Sequence, residues 1–277
     1  MVAAAVLWSL IGPFSKNCMA EGLQPLEIAF WRGLLGCMCF FGELVVRGRP
    51  VLTKDAGYFG LFGILGVGLF YSSLQISIQR SGAAMAMILM YTAPIWVAVF
   101  SRIIFHERVS GCKIACIAVA LVGAVLVCLS GGSLPGEPSV WGIFCGIAAG
   151  FCYAVHFPFY VWWSGRHGTA VIYAWMLLGG TMFLYPLVDF APERSWAAWG
   201  NLLALGIVTN YMAYFASGRS LERVNQVQAA VIGNIEPVLA TFWVWLLWGE
   251  NFSIYGWVGS GLILAAVLLL TMDRKAV

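Results

Sequence analysis

Ten stretches of about 20 mainly apolar residues follow one another along this chain, parted by short polar or turn-rich breaks. They fall near residues 2–20, 26–46, 56–78, 82–104, 110–129, 139–163, 169–190, 197–219, 226–249 and 253–272. An apolar helix of about 20 residues crosses the hydrocarbon core of a bilayer. In lipid a helix also satisfies its own backbone N–H and C=O groups. The pattern therefore predicts an all-α membrane protein of ten transmembrane helices. Composition agrees, since 61% of the 277 residues are hydrophobic and 10% are charged, against about 25% charged in soluble domains. Barrel strands alternate apolar and polar residues; these runs do not. A net charge of +3 gives no reason to expect a nucleic-acid partner. The first stretch, Val2 to Ala20, lacks a basic leading region and a cleavage site, and reads as a retained helix rather than a signal peptide.

Basic residues in short loops mark the cytoplasmic side. With the N-terminus inside, the inner loops and C-terminus hold Arg47, Arg49, Lys54, Arg102, Arg108, Lys113, Arg166, Arg219, Arg223, Arg274 and Lys275. The outer loops hold only Lys16, Arg80 and Arg194, and Arg32 lies within the second span. The bias predicts both termini in the cytoplasm.

The chain also repeats itself. At an offset of 143, Pro94, Glu107 and Ser110 recur as Pro237, Glu250 and Ser253, and Tyr71, Ser77 and Arg80 as Tyr214, Ser220 and Arg223. At an offset of 145, Trp8, Pro13 and Phe14 recur as Tyr153, Pro158 and Phe159. The turn-rich SGGSLPGEPS (130–139) falls between the copies. The expected organisation is a first five-helix repeat over 1–130, a linker over 131–139 and a second five-helix repeat over 140–277. Five spans are an odd number, so the second copy enters the membrane from the opposite side, the inverted arrangement of many secondary transporters. Ser110 and Ser253 suit N-caps of the fifth and tenth helices. Glu107 and Glu250 lie beside the same positive helix ends as boundary charges.

These residues resemble the drug/metabolite transporter superfamily, specifically its EamA-type members. The resemblance rests on YTAPIWVAVFSRIIFHERVS (91–110), NIEPVLATFWVWLLWGENFS (234–253) and FWRGLL (30–35), which matches the family's arginine in the second span. It covers nearly the whole chain and implies the ten-helix fold, transport, and a bacterial-type inner membrane. It leaves the substrate open, because the family carries amino acids, drugs, nucleotide sugars and other metabolites. Ala93 stands where the second half has Glu236.

An ionisable group within a span marks a functional site by default. Glu236 sits mid-span beside Pro237, where a proline frees a backbone carbonyl, and suits an amine, a proton or a structural hydrogen bond. Arg32 suits a substrate carboxylate, an ion pair with Glu236 or Glu27, or snorkelling to the interface. His156 suits proton transfer or packing. Gln75, Asn210 and Asn234 suit a cavity wall or helix–helix hydrogen bonds. Among mid-span aromatics, the paired Trp8/Tyr153 and Tyr71/Tyr214 are the best candidates to face a pseudo-twofold axis, with Tyr91 beside them. Pro13, Pro94, Pro158 and Pro237 are the expected helix breaks. Gly142, Gly146 and Gly150 form a small-residue stripe for close packing. The eight cysteines lack metal spacing and read as small apolar helix residues; neither metal nor cofactor is expected.

The leading functional reading is export of small polar metabolites such as amino acids, by alternating access around a mid-membrane cavity. The partners are a small-molecule substrate, the bilayer, and protons as the candidate coupling ion. An organic-cation or drug transporter with an aromatic cage is the alternative. An intramembrane enzyme lacks the HExxH, Asp-rich or GxSxG set it would need.

Overall fold

The structure is a computed structural model that describes residues 1–107, 109–130, 139–249 and 253–272. Of the residues singled out above, Arg108, Glu250, Arg274, Lys275 and the linker up to Pro138 lie outside the described residues. Among the described residues every regular element is helical.

The first apolar stretch forms α1 (Val2–Ser9) and α2 (Ile11–Ala20). They part at Leu10 because Pro13 has no N–H to give the Ser9 carbonyl. After α3 (Pro25–Val46), α4 (Ala56–Gly63) passes through a π-helical segment, Ile64–Leu69, into α5 (Phe70–Ser81). The next stretch is α6 (Ala83–Met90) and α7 (Ala93–Ile104), broken where Pro94 cannot bond the Met90 carbonyl. Then come α8 (Gly111–Ser130), α9 (Val140–Ser164) and α10 (Thr169–Leu184). A second π-helical segment, Leu205–Met212, joins α11 (Trp196–Ala204) to α12 (Ala213–Leu221). The chain ends on α13 (Gln226–Gly233), α14 (Glu236–Trp248) and α15 (Ile254–Met272), with the α13–α14 break just before Pro237.

Among the described residues, seven helical stretches are long and apolar enough to cross a membrane: Pro25–Val46, Ala56–Ser81, Ala83–Ile104, Gly111–Leu129, Val140–Ser164, Thr169–Leu187 and Gln226–Leu247. A shorter apolar helix, Ile254–Leu270, follows. The other two expected spans differ for physical reasons. The first is cut at Leu10, and the eighth, although helical throughout, is diluted by Asn201, Thr209, Asn210 and Ser217. Pro158 also departs from expectation, because α9 stays one helix across it. Packing along α5, α6 and α7 holds α9 over the lost hydrogen bond.

Helix starts recur at a fixed spacing. α5, α6, α7 and α8 begin at residues 70, 83, 93 and 111; α12, α13, α14 and α15 begin at 213, 226, 236 and 254, each 143 later. The π-helical segments end at Leu69 and Met212, again 143 apart. The α8 and α15 starts carry matching caps. Ser110 Oγ accepts from the Lys113 N–H at 3.2 Å and Ser253 Oγ from the Gly256 N–H at 3.4 Å. Glu107 accepts from Asn225 Nδ2 at 2.6 Å, and Asn225 caps α13 through the Val227 N–H, so this carboxylate braces a second helix start.

The helices interlock through glycine. The π-helical segment 64–69 packs on α10, and the segment 205–212 packs on α3. α4 meets α10 backbone to backbone: a methyl on Gly63 would strike the Met176 carbonyl, and one on Gly179 the Gly60 carbonyl. Gly142, Gly146 and Gly150 bring α9 against α5 and α6, as their spacing predicts. A methyl on Gly150 would lie 2.8 Å from the Leu89 carbonyl oxygen.

Candidate functional site

The α6–α7 and α13–α14 breaks open onto one cavity of about 240 Å³. Tyr91 comes from the α6–α7 break and Glu236 from the first position of α14. α1 supplies Trp8 and Ser9, α3 Arg32, α5 Phe70, Tyr71 and Leu74, and α6 Met87 and Met90. Tyr153 of α9, Tyr214 of α12 and Ala240 of α14 complete most of the wall. Arg32 and Glu236 are the charged residues of this lining. Glu236 stands where the unbonded N–H groups of a helix start favour negative charge.

Arg32 is only 8% exposed, and its Nε has no hydrogen-bond partner. Its guanidinium lies 5.1 Å from the centroid of the Tyr71 ring. Its backbone is held from behind, where the Arg32 carbonyl accepts from Asn210 Nδ2 at 2.8 Å. Gly36 permits this, since a methyl there would sit 2.6 Å from the same nitrogen. The Arg32–Glu27 pair allowed by the sequence does not form. Glu27, fully buried, accepts from Arg194 Nε at 2.6 Å, the Ala191 N–H at 3.1 Å and Trp31 Nε1 at 3.3 Å. Arg194 also lies over the Trp31, Phe190 and Trp199 rings. Among the described residues, Arg32 and Glu236 make no ion pair either. Two opposite charges therefore face one cavity without closing on each other.

The aromatic wall is ordered by edge contacts. Trp8 meets Tyr214 at 5.8 Å and Tyr153 at 6.4 Å between centroids, both at 76°. Phe70 stacks on Tyr153 at 5.7 Å, and Tyr173 braces Tyr214 at 4.7 Å. Pairs of this kind contribute about 0.5–1.5 kcal/mol beyond burial. The repeat-related Trp8/Tyr153 and Tyr71/Tyr214 thus share the cavity.

Four of the polar candidates stand elsewhere. His156 lies behind the wall, its ring parallel to Tyr214 at 6.0 Å and its Nε2 2.5 Å from the Gly66 carbonyl of the first π-helical segment. Asn210 acts through the Arg32 backbone. Asn234 is buried at the α13–α14 break, away from the lining. Gln75 lines a neighbouring chamber that shares Ile11, Arg32, Tyr71 and Leu74 with the cavity. Pro13, Pro94 and Pro237 shape the breaks, Pro158 breaks no helix, and none of the four lines the cavity. Sequence reasoning missed Ser9, Phe70, Leu74, Met87 and Met90. Helical spacing from Tyr71 and Tyr91 would have found the last four (70, 71, 74 and 87, 90, 91). Ser9 links helices, accepting from Trp243 Nε1 at 2.9 Å and donating to the Val6 carbonyl at 2.7 Å.

The chain as a whole is similar to known proteins. The profile of the EamA-like transporter family matches residues 1–129 and 140–272. The transporter YdfC of Bacillus subtilis is 27% identical, over 92% of this chain and 84% of its own length. The pseudopaline exporter CntI of Pseudomonas aeruginosa is 27% identical, over 99% of this chain and 95% of its own. The inner membrane transporter YicL of Salmonella typhimurium is 24% identical over 99% and 95%. A solved crystal structure superposes with a TM-score of 0.87 at 19% identity, covering 99% of this chain and 95% of that one; it shows the shared fold.

Proposed function

The chain belongs to the EamA-like transporter family, within the drug/metabolite transporters, and we propose that it moves small zwitterionic metabolites such as amino acids by alternating access. It is a multi-pass membrane transporter, and its relatives are named as transporters, which speaks against an intramembrane enzyme. The observation that carries the substrate reading is the pair of uncoupled charges in an aromatic cavity. Arg32 holds a carboxylate, Glu236 an ammonium, and the rings cover the apolar remainder. The named exporter among the relatives supports export as the direction.

The proposed architecture is ten spans in two inverted halves, 1–130 and 140–277 joined by 131–139, with both termini in the cytoplasm. In its support stand the 143-residue recurrence of helix starts, the paired π-helical segments and the two family matches, 1–129 and 140–272, which flank the joint. Glu236 is also the proposed site for a coupling proton.

The aromatic walls favour a second reading, an organic cation balanced by Glu236. Arg32 separates the two, because a bare cation gains nothing from it. The test is uptake into proteoliposomes, with and without a pH gradient, of labelled amino acids, choline-like cations, nucleosides and sugar phosphates. Saturable uptake of amino acids that quaternary amines do not compete with supports the zwitterion. Uptake of quaternary amines, unchanged in Arg32→Gln, replaces it with the cation. Uptake of neither overturns both.

A further inference from the structure

Beyond Arg32 lies the second chamber, about 140 Å³, between α2, α3 and α5. It reaches toward helix ends. Pro25 opens α3, and Ile78 is followed by exposed Gln79 and Arg80 at the close of α5. Arg32 lies about 10 Å along α3 from Pro25, at the neck between the two spaces. Gln75 stands one helical turn beyond Tyr71, and Ser15 of α2 lines the same chamber.

Among the described residues that line this chamber, none is acidic and Arg32 carries the charge. Arg32 is nine-tenths buried and keeps an Nε without a partner. A buried donor left unpaired costs about 1–3 kcal/mol, and the carboxylate nearest along its own helix, Glu27, is consumed by Arg194. One positive charge in a narrow space with low-dielectric walls concentrates anions. We propose that the second chamber is an anion-binding subsite, which takes the substrate's carboxylate at Arg32 and Gln75 as the substrate leaves the main cavity. What is carried rests on the transport reading above; the anion preference of the chamber does not.

The test uses charged thiol reagents on the purified full-length chain carrying Gln75→Cys, with the unsubstituted chain giving the background of native cysteines. Anionic sulfonatoethyl and cationic trimethylammonioethyl methanethiosulfonate are compared, and modification is read by mass. Taking the ratio of their rates cancels any change in thiol reactivity. The expected ratio of anionic to cationic rates is about tenfold above that of a free thiol in the same buffer. It is expected to fall to the free-thiol value in Arg32→Gln and to persist in Arg32→Lys. Ser15→Cys, on another wall of the chamber, is expected to show the same preference if Arg32→Gln does not fold. A free-thiol ratio at both positions, a raised ratio that survives Arg32→Gln, or no reaction with either reagent at both positions overturns the subsite. Labelling needs no transport, so a failed uptake screen and a failed subsite are separate results.

Discussion

Glu236 and Arg32 present opposite charges to one cavity, and each should be removable without unfolding the chain, since neither neutralises the other. Glu236→Gln keeps the shape and deletes the charge. A hydrogen bond to a charged group contributes about 1.5–3 kcal/mol, so the KM for a zwitterionic substrate should rise roughly 10- to 100-fold. Initial uptake rates over a range of substrate concentrations check this, and an unchanged KM would remove Glu236 from the site. Glu27 is the contrasting case. It is fully buried against Arg194, so Glu27→Gln leaves a partly buried guanidinium uncompensated and should cost about 3 kcal/mol of stability. Pairing it with Arg194→Met should restore much of that loss, because the stranded charge goes too. Thermal unfolding in detergent, single against double variant, is the measurement. The sequence showed Arg32 and Glu236 because charge inside an apolar span is conspicuous. It did not show which carboxylate Arg32 would leave alone. Arg194, Glu27's actual partner, comes from a distant loop, and spacing along the chain says nothing about it.

Helix breaks and helix lengths were legible to different degrees. Pro94 and Pro237 place their breaks directly, since a missing N–H is a local property. Pro158 does not, because neighbouring helices hold α9 across the defect. The π-helical segments left no trace in ILGVGL or LGIVTNYM; an extra residue per turn is a response to packing on α10 and α3. Rotation about each helix axis was equally hidden. His156 and Asn234 lie at suitable depth yet turn away from the cavity, and only inter-helix contacts decide which face points inward. The glycine stripe of α9 was legible because its spacing repeats by four. Gly150→Leu should force α9 from the Leu89 carbonyl and destabilise the chain by about 1–3 kcal/mol. Gly165→Leu, where the space beyond is open, is the control. Comparable unfolding temperatures for the two variants would show that α9 does not depend on this contact.

At the scale of the molecule, apolar runs carried the all-helical membrane character, and the internal repeat and loop charges carried the proposed halves and orientation. That orientation predicts a fluorescent green fluorescent protein fused after Val277, because this domain matures in the cytoplasm. A dark fusion beside an active alkaline phosphatase fusion at the same point would reverse it. The repeat has one further consequence. α7 begins with Ala93 where α14 begins with Glu236, so the proposed halves are related in shape but not in charge. When two such halves trade conformations, the opening moves from one membrane face to the other while the negative contact stays on the second half. Cargo held by both its ends would then cross without turning over, its ammonium facing the same helix from loading to release.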